Sequence, residues 1–211
     1  MPLSSAAAQQ AVIAFQRFGL GAKPGGPLRI GASPKAALRA EINKPGIAAI
    51  LDPTLPSYKK AAFESGGGID RALKVREQEM HARFDKHLAV EIGFVERLVL
   101  FWSNHFSMSA KKGTGVVGMI GQFERDIIRK HVLGRFSDML TEVINHPAML
   151  FYLDNDGSIS PNSFSGRRRP VSFTENLGRE ILDLHTVGRG RYSEPDVAAL
   201  ARMLTGWSYY R

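Results

Sequence analysis

Apolar residues recur at spacings of three and four along most of the chain, and no stretch sustains the strict alternation of a half-buried strand, so the pattern predicts helices throughout. Ser4 or Ser5 caps a first helix ending near Gly19, and Ser33 before Pro34 starts a second, since proline fits a first helical turn. The segment LDPTLPSYKK is rich in turn residues, and SGGG at 65–68 is a flexible break. The longest helical pattern follows, from Ile69 to Phe106, with an interruption near Gly93. After the basic turn AKKGTG, Val116 to Leu133 reads as a helix stopped by Gly134, Phe136 to Ile144 as another, and AMLFYL as a short helical turn. Residues 154–172 combine Asn, Asp, Gly, Ser and Pro with an arginine triplet at 167–169 and read as an exposed polar loop. Two capping boxes, Ser172-x-x-Glu175 and Ser193-x-x-Asp196, open the last two helices, the second with Val197, Leu200, Ala201 and Leu204 as its apolar face. The expected architecture is all-α, a multi-helix bundle-like single domain over residues 1–211 without internal repeats.

Plotting the polar residues on helical wheels at about 100° per residue shows which of them face the core. In ENLGREILDLH, Glu175, Asn176, Arg179, Glu180 and Asp183 share one arc, and Leu177, Ile181, Leu182 and Leu184 fill the other, with His185 among them. In FVERLVLFWSNHF, His105 falls with Phe94, Leu98, Trp102 and Phe106, while Glu96, Ser103 and Asn104 lie towards the opposite side. In MIGQFERDIIRKH, Glu124 and His131 fall with Ile120, Phe123, Ile127 and Ile128, and Arg125, Asp126 and Arg129 point elsewhere.

A buried imidazole or carboxylate is costly without a partner, so the inward groups must satisfy one another or meet a ligand. Two arrangements fit. One is a core hydrogen-bond network such as Glu124 with His105 or His185; the other is a divalent-metal site made by His105, Glu124 and His185. No HExxH-type spacing supports the metal. The polar arc has two readings as well. On an exposed face, Glu175 and Arg179 make a weak i,i+4 pair; in a cleft, Glu180 acts as general base, Arg179 as anion clamp, and Asp183 orients one of them.

Composition sets the surroundings of any such site. Twenty-eight Lys and Arg against 20 Asp and Glu leave a formal charge of +8, which favours phosphates, anionic polymers or acidic partners. The absence of cysteine removes disulfides and thiolate metal sites. No apolar run approaches the roughly 18 residues of a membrane span, and no export signal is recognisable, so the default compartment is the cytoplasm. GLGAKPGG lacks a preceding strand and AKKGTG lacks Walker order, so neither is a nucleotide fingerprint. Nucleic acid is disfavoured because the arginine triplet has no interleaved aromatics, and Trp207 reads as core.

Taken in order, RFGLGAKPG, ERLVLFWSNHF, FERDIIRKHVLGRFSDML, HPAMLFYLDN, TENLGREILDLHTVG and YSEPDVAALARMLTGW resemble the bacterial family catalogued as domain of unknown function 1800. The resemblance implies a predominantly helical protein and transfers no catalytic residue. It also implies a longer domain, of which this chain is the N-terminal part, in a family with many exported members. A sulfatase-like or phosphatase-like protein encoded nearby is the partner it suggests. The functional expectation is an enzyme performing metal-assisted or acid–base hydrolysis. Its inner site is His105, Glu124 and His185, surrounded by Asn104, Asn176, Arg179, Glu180 and Asp183. The competing expectation is a non-enzymatic module that docks an anionic polymer or a partner protein through its basic surface.

Overall fold

The computed structural model describes residues 4–31, 33–168 and 173–208, and among them the regular structure is helical, with no strand. The helices are α1 (Ser5–Ile13), α2 (Gly26–Ile30), α3 (Pro34–Ile42), α4 (Tyr58–Gly66), α5 (Ile69–Ala89) and α6 (Phe94–His105), followed by α7 (Thr114–Phe123), α8 (Arg129–His131), α9 (Phe136–Asn145), α10 (Pro147–Tyr152), α11 (Asn176–Glu180) and α12 (Glu194–Leu204). Three π-helical turns, Ala14–Phe18, Glu124–Ile128 and Ile181–His185, extend α1, α7 and α11, and the second of them runs directly into α8. A π-turn carries one extra residue in the helical ladder and is often found at functional sites.

Several boundaries follow from local chemistry. The Ser4 side chain accepts the Ala7 N–H at 3.3 Å, and the Ser193/Asp196 capping box is formed at the start of α12. The box expected at Ser172 and the third arginine of the triplet, Arg169, lie outside the described residues. The pattern from Ile69 to Phe106 is two helices, because Gly93 adopts a left-handed conformation at φ 86° that ends any continuous ladder. The new N-terminus, at α6, is capped from a distance: the Glu41 carboxylate of α3 accepts the N–H groups of Gly93 (3.0 Å), Phe94 (2.7 Å) and Val95 (3.2 Å).

The main core gathers Val95 and Val99 of α6 and Phe106 just after it, Ile128 of the π-turn, Met139 and Val143 of α9, Met149 of α10, and Leu177 and Leu204 of the last two helices. On its other side α7 packs on α4 and α5 through glycine. A Cβ at Gly118 would lie 1.7 Å from Ser65 Oγ, and one at Gly121 would lie 2.3 Å from Glu79 Cβ, so only hydrogen fits between these helices. Trp207, expected in the core, is exposed, and Arg167 and Arg168 lie on an exposed loop as the sequence suggested.

Candidate functional site

The least expected feature of the interior is an arginine. Arg129 and Glu96 are 3% and 1% exposed, although both wheels had turned them away from the core. Arg129 donates through Nη1 to Glu96 Oε1 (2.8 Å), through Nη2 to Glu96 Oε2 (2.9 Å), through Nε to Glu124 Oε1 (3.1 Å) and through Nη1 to the Ala48 carbonyl (3.0 Å). The remaining Glu124 oxygen accepts the Ser103 hydroxyl at 3.0 Å and lies 3.2 Å from Arg83 Nη1. His87 Nε2 is 3.3 Å from Glu96 Oε2, outside hydrogen-bond geometry, and has no other partner. Burial above all holds the His87 pKa below its ordinary value, with Glu96 pulling it up and Arg83 and Arg129 pushing it down.

This network lies behind a cleft of about 610 Å³ between α5, α6 and α7. Its walls are largely apolar, with Met80 and Phe84 from α5, Leu100 from α6, Phe106 and Met108 from the segment after it, and Ile120 from α7. Glu79 and Glu124 also line it; Glu124 shares Arg129 with Glu96 and has Arg83 beside it. Glu79 pairs with Arg125 at 3.0 Å, while burial pushes its pKa up and Arg125 opposes that shift. Among the described residues two more arginines face the cleft: Arg76, which makes no ion pair, and Arg83, which is paired with Glu124. A mostly apolar hollow with a few converging polar groups is the usual form of a ligand site, and two methionines make its walls adaptable.

The residues expected to form the site are dispersed. His105 is half-buried, with Nε2 3.2 Å from the His185 carbonyl and its ring against Phe106 and Trp102. His185 is 6% exposed and its ring meets Phe106 at 5.1 Å, but Nδ1 has no partner. Burial first, then the neighbouring His105, pushes the His185 pKa down to about 4. No hydrogen bond or ion pair joins Glu124 to either histidine; its carboxylate is filled by Ser103, Arg83 and Arg129. The expected metal triad is therefore not assembled, and among the described residues no three His, Cys, Asp or Glu side chains are grouped to hold an ion. The alternative reading, a core hydrogen-bond network, holds for Glu124 but with arginine and serine as its partners.

The polar arc of α11 forms ion pairs at the surface. Arg179 bridges Glu175 (3.2 Å) and Glu194 (2.7 Å), and Asp183 accepts the Tyr192 hydroxyl and lies 3.5 Å from Arg189 Nε. Asn176 is exposed and donates to Asp154 at 3.3 Å; Asn104 is also exposed. Glu180 is half-buried, and desolvation first, then Asp183, raises its pKa against the pull of Arg189. None of these side chains lines the cleft. Leu184, placed with the buried leucines by the wheel, is 55% exposed.

A family model described as protein of unknown function (DUF1800) matches residues 13–211. The chain belongs to the DUF1800 family. No curated protein and no solved structure matches it. The DUF1800 match contains all of α5, α6 and α7 together with Arg129, so the cleft and the network behind it lie within the family region.

The sequence reading missed Glu96, Arg129, Arg83, His87, Ser103 and Arg76. The available signal was one of complementarity. Glu96 stands beside Val95 and near Val99 in a strongly apolar helix, and Arg129 follows Ile127 and Ile128, so each is a charge on an apolar background in need of an opposite one.

Proposed function

We propose that the protein is a binding module whose cleft between α5, α6 and α7 takes an amphipathic anion: an extended apolar body with one anionic head. The observation that carries this reading is the pairing within the cleft. Glu79 is matched by Arg125, and Glu124 by Arg83 and a share of Arg129, which leaves Arg76 unpaired beside apolar walls. A volume of about 610 Å³ is in the usual range for small-molecule sites, roughly 300–1,000 Å³. Charge-assisted hydrogen bonds from guanidinium would fix the head, and burial of the tail against Met80, Phe84 and Leu100 would supply most of the affinity.

Binding is supported better than acid–base hydrolysis at the same place. A general base must have an open oxygen within reach of the proton it takes, and both oxygens of Glu124 already hold donors. His185 faces aromatic rings in the interior and does not line the cleft.

The test is a fluorescence titration with anilinonaphthalene sulfonate, followed by competition with decyl phosphate and with decyltrimethylammonium below their micelle concentrations. The expected result is saturable binding, displacement by the alkyl anion only, and at least a tenfold loss when Arg76→Gln and Arg83→Gln are combined. That loss corresponds to one charge-assisted bond of about 1.5–3 kcal/mol. Equal competition by the alkyl cation, or wild-type affinity in the folded double variant, would sink the proposal.

A further inference from the structure

A second hollow, of about 330 Å³, lies on the other flank of α5, where it faces α4. It shares no lining residue with the cleft and is independent of the binding function proposed above. Lys60 of α4 and Arg71 and Lys74 of α5 all contribute to it, and none of the three is ion-paired. The one carboxylate in the lining is Glu64, one turn from Lys60 on α4 and yet not paired with it. Three cations and one anion leave the notch with a surplus of two positive charges in a small space. All three cations are exposed, and a doubly negative guest would match their surplus charge.

The local backbone makes room for one of these cations. A Cβ at Gly67 would lie 2.6 Å from Arg71 Cδ and 2.8 Å from Nη1, so the arginine side chain lies back over the Gly67 backbone. Gly67 has an ordinary φ of −79°, which any residue can adopt, so the turn itself does not call for glycine there. What glycine provides is room for the guanidinium. In this position Arg71 offers a planar fork of donors, Lys60 and Lys74 offer point charges, and Gln78 adds a neutral amide.

From these contacts we infer that the α4–α5 notch binds a dianionic tetrahedral oxyanion, phosphate or sulfate, either free or as the terminal group of an ester. The oxyanion would bridge the three cations, with Arg71 contacting two of its oxygens and Gln78 a third.

The experiment is calorimetric titration of the purified protein with inorganic phosphate, sodium sulfate and phenyl phosphate, with ionic strength held constant by chloride. The expected result is one saturable site for both inorganic dianions. Arg71→Gln or Lys74→Gln should weaken it at least tenfold, whereas Arg76→Gln with Arg83→Gln should leave it unchanged, which separates this site from the cleft. Gly67→Ala is the sharper variant, because it keeps the charge and the helices but displaces the guanidinium; it should weaken binding several-fold with an unaltered melting temperature. Equal affinity for phosphate and phenyl phosphate identifies a free ion as the guest, and tighter phenyl phosphate identifies an ester; either supports the site. Heat that never saturates, or folded variants of Arg71 and Lys74 that bind as wild type does, would overturn it.

Discussion

Replacing Arg129 with methionine keeps an unbranched but shorter side chain and removes its charge and five donors. Glu124 would still have Arg83 at 3.2 Å and the Ser103 hydroxyl at 3.0 Å. Glu96 would have only His87, 3.3 Å away and without hydrogen-bond geometry, and the Ala48 carbonyl would lose its donor. Breaking one side of a buried pair costs about 3–5 kcal/mol, because the charge left behind is uncompensated. In a domain of this size each kcal/mol moves the melting temperature by about 2–4 °C, so the variant should melt roughly 6–20 °C below wild type. Adding Glu96→Leu should restore stability rather than lower it further, giving a coupling of at least about 2 kcal/mol in a double-mutant cycle. Urea denaturation followed by circular dichroism measures all of these values. A loss below about 1 kcal/mol, or a cycle in which the two substitutions simply add, would refute the view that this pair is held by mutual neutralisation.

Two further predictions concern the helix ends. His146 caps α10 by accepting the Ala148 N–H at Nδ1 (3.1 Å), and burial pushes its pKa down to about 4. The unfolded chain therefore takes up the proton first. Stability is full above pH 6.5 and is lost as pH falls towards 4, by at most about 3 kcal/mol for this group. His146→Asn retains a capping oxygen and should flatten the urea midpoint between pH 7 and pH 5, while His185, with the same sign, keeps the rest of the slope. Glu41→Ala removes the carboxylate that accepts three N–H groups at the start of α6 and should cost about 1–2 kcal/mol in urea denaturation, with Glu41→Gln costing less.

The helices were legible because their signals are local: serine caps, the Gly93 break and the Ser193/Asp196 box sit within a few residues of what they terminate. The helix predicted from Val116 to Leu133 and the one from Phe136 to Ile144 correspond to chain that is helical from 114 to 131 and over Phe136–Asn145. The burial of His185 was also visible, since it depends on the leucines and isoleucine beside it. The partners were not. A wheel fixes the direction of a side chain on its own helix, but Glu124 with Ser103 and Glu96 with Arg129 meet across 21 and 33 residues of sequence. The wheel also assumes constant pitch. Between Glu124 and Ile128 the helix carries an extra residue, which slips the phase by about one residue's rotation, on the order of 100°, just before Arg129. That slip explains an arginine assigned to solvent and found in the interior. For Glu96 the helix is regular, and its own side proved the deeper one: Phe94, Leu98 and Trp102 are half-buried, whereas Val95 and Val99 beside Glu96 are fully buried.

The glycine seam between α7 and its neighbours has an evolutionary corollary. At Gly118 and Gly121 the side chain is a single hydrogen, so every other residue type adds atoms, and at both places those atoms meet Ser65 or Glu79 well inside contact distance. Mutation at these positions has one available sign. It can wedge α4 or α5 away from α7, but no substitution can draw them closer. Because Gly121 and Glu79 also border the larger cleft, heritable change at Gly121 reshapes that cleft as well as the seam.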